Sequence, residues 1–185
     1  MIINTIEIQK KINSIFKIED FDSILSELTY LEMLIKKDED FVNDIYESLD
    51  DESQDVFTEI LNYLDGAIYL CLIKKDSNDN LDNFFKLLSL GWTPDTYSEF
   101  EEFRALEYRM PVICETTDLY TMLVNESEDG DFDTLNDYLL ENYESLNDFC
   151  NETIKDYYLD NINECISLIK FNKGEKLTHI TLEKK

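Results

Sequence analysis

Apolar residues recur along this chain at intervals of three and four, the period of an amphipathic helix. Ile8, Ile12, Ile15 and Phe16 fall on one face of a first helix, and Phe21, Ile24, Leu25, Leu28, Leu31 and Ile35 on one face of a second. Asp20 opens the second helix and Lys36 and Lys37 close it, each with the sign of charge that the helix dipole favours. Phe41, Ile45 and Leu49 mark a short third helix. Val56, Ile60, Tyr63, Leu64, Ala67 and Cys71 mark a longer fourth. Gly66 inside it costs about 1 kcal/mol relative to Ala, so a close helix crossing or a break is expected there.

Leu81 to Leu90 predict the next helix, stopped by Gly91 with Pro94 shortly beyond. Ser98 and Glu101 make a capping-box pattern for a segment through Tyr108, which Pro111 ends. Thr117 is placed to cap a short helix ending at Asn125, and the cluster Glu126 to Asp131 around Gly130 reads as a loop. Phe132 to Asn172 contain neither Gly nor Pro, and their apolar spacing predicts one or two long helices. Cys165 to Leu182 admit two readings, a helix followed by a strand or a hairpin turning at Lys173-Gly174; Leu177 to Leu182 are expected to form a short strand. The fold expected is mainly α, packed helical hairpins in a single domain over residues 1–185, with that short C-terminal strand.

Composition narrows the class. A chain of 185 residues fits one domain or two small ones. Its 43% hydrophobic and 12% aromatic content separates it from disordered acidic tails, which are poor in aromatics. Met1 to Lys17 contain no apolar core of signal-peptide length, and the longest apolar run, Ala67 to Ile73, falls short of the ~20 residues that span a bilayer. An acidic surface is also repelled by anionic head groups. A cytoplasmic location without a membrane partner is the expectation. Cys71, Cys114, Cys150 and Cys165 form no C-x-x-C pair and lie in apolar contexts, which predicts buried free thiols.

Charge changes the picture most. The formal net charge is −26, and Met110 to Ile154 carry twelve Asp and Glu with no Lys or Arg. Within that stretch Asp133, Asp137, Glu141, Glu144, Asp148 and Glu152 are spaced by three and four residues, while Leu135, Tyr138, Leu139, Leu146, Phe149 and Cys150 occupy the opposite arc. If the segment is one helix, it presents a carboxylate stripe to solvent. Such a stripe is either a plain solvated face or a docking surface for a basic partner. The absence of interleaved Lys leaves like charges that destabilise by a few tenths of a kcal/mol per pair. Trp92, with Tyr97, Phe100 and Phe103, stands beside Glu99 and Glu102; that cluster reads either as core or as an interface hot spot with steering acids. The candidate partner-binding residues are therefore Asp133, Asp137, Glu141, Glu144, Asp148, Trp92, Glu99 and Glu102.

Other chemistries find little footing. Asp76, Asn78, Asn80 and Asp82 resemble the start of a calcium loop, but Leu81 and Leu87 stand where Gly and Glu are required. His179 is the sole histidine, and no nucleophilic constellation or phosphate-cradling glycine loop accompanies it. No catalytic residue, metal or cofactor is expected.

Asn80 to Asp95, NLDNFFKLLSLGWTPD, resembles the second helix of an ankyrin repeat and the turn after it, with Leu87, Leu88, Gly91 and Asp95 at the Leu pair, Gly and polar turn positions. Ala67 to Lys74 correspond to its first helix. A second echo runs from Thr117 through Leu119 and then from Asp131 to Leu140, about fifty residues on rather than the ankyrin period of 33. The resemblance implies stacked helical hairpins and a protein-binding role, and supplies no catalytic residues.

These features point to a non-enzymatic acidic inhibitor that occludes the basic surface of a partner such as a nucleic-acid-acting toxin or a defence nuclease. By class it resembles immunity proteins and anti-defence proteins that act as nucleic-acid mimics. Direct nucleic-acid binding is disfavoured, because phosphate is repelled by an acidic surface. The alternative is an ankyrin-like interaction scaffold unrelated to nucleic acids.

Overall fold

The computed structural model of the chain describes residues 5–36, 39–77, 80–90 and 114–172. It is mainly helical, and among the described residues there is no strand. In chain order the α-helices are α1 (Thr5–Ile15), α2 (Phe21–Lys36), α3 (Glu39–Glu47), α4 (Asp51–Ser77), α5 (Leu81–Leu90), α6 (Cys114–Asp129), α7 (Leu135–Asn142) and α8 (Leu146–Glu152). A π-helical segment, Thr153–Leu159, leads into α9 (Asp160–Asn172). The chain forms two compact units: Met1–Ala67 with Ile154–Lys185, and Ile68–Thr153.

In the first unit α1 packs on α2 and α9, and α2 on α3. The predicted apolar faces are the buried ones: Ile8, Ile12 and Ile15 on α1, and Ile24, Leu28, Leu31 and Ile35 on α2. Phe57, Ile60 and Leu64 of α4 and Tyr158, Ile162, Cys165 and Ile166 are likewise buried. Each large apolar side chain buried in this way contributes about 1.5–3 kcal/mol. Polar groups define the helix starts. The Asp20 carboxylate accepts from the Ser23 hydroxyl at 2.6 Å and the Ser23 amide at 2.9 Å, which holds its pKa below the ordinary carboxylate value. The Asp50 carboxylate caps α4, accepting from the Ser53 amide at 2.8 Å.

Lysines tie the elements of this unit together. Lys11 pairs with Glu27 and lies 4.4 Å from the centroid of the Tyr30 ring. Lys36 pairs with Asp65 on α4 and, at 3.5 Å, with Glu32 one turn back on its own helix. Lys155 donates to the Ile18 carbonyl at 2.6 Å; partial burial lowers its pKa, with Glu19 and Asp156 acting in the other direction. The Cys165 thiol donates to Glu59 at 3.6 Å, and burial together with that carboxylate pushes its pKa up to about 12.

In the second unit α5 packs on α6, and α6 on α7. Phe84 and Leu88 of α5, Leu119 and Leu123 of α6, Leu139 of α7, and Leu146, Phe149 and Cys150 of α8 are buried. Phe149 stands edge-to-face with Phe84 at 5.8 Å and with Tyr143 at 5.1 Å. Cys71, Cys150 and, in the first unit, Cys165 are buried thiols outside any disulfide, as expected, and the Cys114 side chain lies outside the described ones. Burial raises the Cys71 pKa well above its ordinary value.

Several expectations are corrected. Gly66 makes no break, since α4 runs through it. The helix expected from Thr117 to Asn125 is α6, which begins earlier at Cys114 and continues through the acidic cluster to Asp129. Gly130 then ends it: the Gly130 amide donates to the Glu126 carbonyl at 3.2 Å, and a Cβ there would meet the Phe132 ring at 2.7 Å. The one or two long helices expected over Phe132 to Asn172 are three shorter α-helices and a π-helical turn. Cys165 to Asn172 are helical, and the strand expected at Leu177 to Leu182 lies outside the described residues, as does His179. By length and composition Asp51–Lys75 of α4 is apolar enough to cross a membrane, and 56% of its most apolar stretch is buried within the protein. Counting only the unbroken run from Ala67 to Ile73 overlooks this, because mean hydropathy absorbs Glu59 and Asp65.

Candidate partner-binding surface

Two tetrapeptides of the same pattern set the geometry of the acidic region: Thr134-Leu135-Asn136-Asp137 and Ser145-Leu146-Asn147-Asp148. In the first, the Thr134 hydroxyl caps α7, accepting from the Asp137 amide at 3.2 Å and donating to the Asp137 carboxylate at 2.8 Å. In the second, the Ser145 hydroxyl caps α8, accepting from the Asp148 amide at 3.2 Å and donating to the Asp148 carboxylate at 2.8 Å. Both Thr134 and Ser145 have extended backbone, the conformation an N-cap requires. A hydroxyl that satisfies the first-turn amide and is itself held by the residue three on makes helix initiation at Ser145 more favourable than continuation of α7.

The carboxylate stripe is therefore not one helix face. Asp133 precedes the α7 cap; Asp137 and Glu141 share a face of α7; Glu144 lies in the connection; Asp148 and Glu152 share a face of α8. Of these, Asp133, Asp137, Glu141, Glu144 and Glu152 are exposed and Asp148 is half-buried. Asp137 and Asp148 have structural work in their helix starts. Glu141, in the last turn of α7, and Glu144, in the connection, are exposed.

At that connection the second unit has a groove of about 390 Å³ lined by Leu81, Leu139, Leu140, Tyr143, Ser145, Leu146, Asn147 and Phe149. The lining is mostly apolar. Leu139, Leu146 and Phe149 are buried, while Leu140 is 59% exposed. Tyr143 ends α7, its amide donating to the Leu139 carbonyl at 2.9 Å. Burial raises the Tyr143 pKa, with Tyr138 and Glu152 adding to the effect. The sequence does not single out Leu140, because one exposed leucine on an amphipathic helix is ordinary. The signal in the sequence is the repeated [Ser/Thr]-Leu-Asn-Asp capping pattern, which marks two helix starts and does not fix the angle between the helices.

Trp92, Glu99 and Glu102 lie outside the described residues. Among the described residues no three His, Cys, Asp or Glu side chains come together in a way that could hold a metal ion. No protein-family model, curated protein or solved structure matches this chain.

Proposed function

We propose that the protein is a non-enzymatic acidic binder that occludes the basic surface of another protein. The nucleic-acid-binding face of a toxin or defence nuclease is the most concrete target, which is the work of an immunity or anti-defence protein. The observation that carries this reading is the exposed carboxylates between Glu126 and Glu152, in a stretch without one Lys or Arg, beside an apolar groove partly lined by exposed Leu140. Aromatic and aliphatic contacts give affinity at such a surface, and the carboxylates speed encounter and select the partner's sign of charge. A cytoplasmic setting and the nucleic-acid-mimic role belong to the same proposal.

The test is capture of partners on the immobilised protein at low ionic strength, followed by competition. A partner displaced by excess DNA or RNA, and released by added salt, supports the reading. Retention of the partner in excess nucleic acid, with no response to salt, removes it and favours the ankyrin-like scaffold. Support for that second reading is limited to the packing of α5, which carries part of the Asn80 to Asp95 stretch, against α6.

A further inference from the structure

We infer that the groove at the α7–α8 connection receives an aliphatic or aromatic anchor side chain presented on a Lys/Arg-rich helix or loop of the partner. The inference rests on the acidic-binder reading and adds to it a place and a chemistry. The groove lies wholly within the second unit, and its volume of about 390 Å³ is at the small end of the range for binding pockets, enough for about one or two large side chains. Its buried residues, Leu139, Leu146 and Phe149, give an apolar floor, and exposed Leu140 extends the apolar surface outward.

Charge chooses among the occupants. Exposed Glu141 directly follows the groove-lining Leu140, exposed Glu144 stands between the groove-lining Tyr143 and Ser145, and the nearest bases along the chain are Arg109 and Lys155. An anionic ligand such as a fatty acid is repelled by those carboxylates. A second copy of this chain brings another −26 of charge to the same face. A basic segment with one apolar anchor satisfies both the floor and the rim, in the manner of a helix laid into a groove.

The probe is a short fluorescent Lys-rich helical peptide carrying Leu and Phe one turn apart, compared with two controls. One control replaces Leu and Phe with Ala; the other keeps them and replaces every Lys with Gln. Anisotropy titrations at low and physiological salt should show the anchored basic peptide binding about tenfold or more tighter than its Ala control, the gain expected for burying an apolar side chain. Leu140→Gln, at an exposed position that leaves the core intact, should remove that advantage and leave the charge-only binding. Asn147→Lys, also exposed, should weaken the anchored peptide by placing a cation at the groove. Equal binding of anchored and Ala peptides, both salt-sensitive, overturns the groove assignment while the acidic-binder reading stands. Equal binding of the anchored basic and Gln peptides overturns the acidic reading as well. No binding of any peptide overturns the inference.

Discussion

The two units carry similar numbers of carboxylates, 22 in the first and 20 in the second, but the first has 11 Lys and the second five Lys and Arg together. In the first unit lysines draw elements together: Lys11 joins α1 to α2, Lys36 joins α2 to α4, and Lys155 caps the Ile18 carbonyl. In the second unit the region after Arg109 has no base of its own, and the carboxylates given a structural task receive it from hydroxyls, at Thr134 and Ser145. Three carboxylates of the first unit, Glu27, Glu32 and Asp65, thus pair with lysines, whereas those after Arg109 in the second have no basic neighbour along the chain. That difference is what makes the second unit the better candidate for a partner.

The largest effects should show that the units differ in charge and not in packing. Phe57 in the first unit and Phe149 in the second are both fully or almost fully buried. Phe57→Ala and Phe149→Ala should each lower stability by about 3–5 kcal/mol in urea unfolding. A loss at Phe149 far below that at Phe57 would mean that the groove region relaxes into the cavity, and would break the symmetry assumed here.

The next effect tests the α7–α8 break by its sign. Ser145→Ala removes an N-cap and should lower the melting midpoint, by about 0.5–2 kcal/mol in stability. Were residues 135–152 one helix, Ala in its interior would raise stability instead, by up to about 0.7 kcal/mol. Thermal melts of the single variant distinguish the two.

A smaller effect sharpens the contrast in the first unit. Lys36→Met keeps the apolar stem and removes the ammonium that pairs with Asp65 and Glu32. Both acids are partly exposed, so the expected loss is about 0.2–1 kcal/mol and shrinks in high salt. A loss unchanged by salt would assign it to packing rather than charge.

How much of this was legible follows from what a helical period can register. Ile8, Ile12 and Ile15, or Ile24, Leu28 and Leu31, announce their helices and their buried faces together, and Asp20 marks a boundary by its cap. Apolar periodicity hides the break before Ser145, although the capping pattern marks it, because Thr134 and Ser145 are eleven residues apart, close to three turns at 3.6 residues each. Leu135 and Leu146 therefore stay in phase across the break, and the apolar stripe reads as continuous. The end of α6 was hidden for another reason. Glu126, Glu128 and Asp129 oppose the dipole at a helix C-terminus and look like loop residues, yet Ser127 among them is buried and its hydroxyl donates to the Val124 carbonyl at 2.8 Å. The groove depends on two helices meeting at an angle, which no spacing of residues specifies.

The smallest effects divide the former stripe within itself. Asp137 and Asp148 sit in the first turns of α7 and α8, where a carboxylate favours the helix dipole and holds the capping hydroxyl. Asp137→Asn and Asp148→Asn should each lower stability, by about 0.3–1 kcal/mol. Glu141 sits in the last turn of α7, where its charge opposes the dipole, so Glu141→Gln should raise stability by a few tenths of a kcal/mol. Glu144, in the connection, should change it least. Binding should sort the other way: Glu141→Gln and Glu144→Gln slow association with a basic partner at low salt, and the two Asp variants do so only as far as their helix starts loosen. Melts and association rates on the four single variants decide the matter. If all four raise stability alike, mutual repulsion outweighs capping, and the carboxylates of the second unit act as one field rather than as two structural and two free charges.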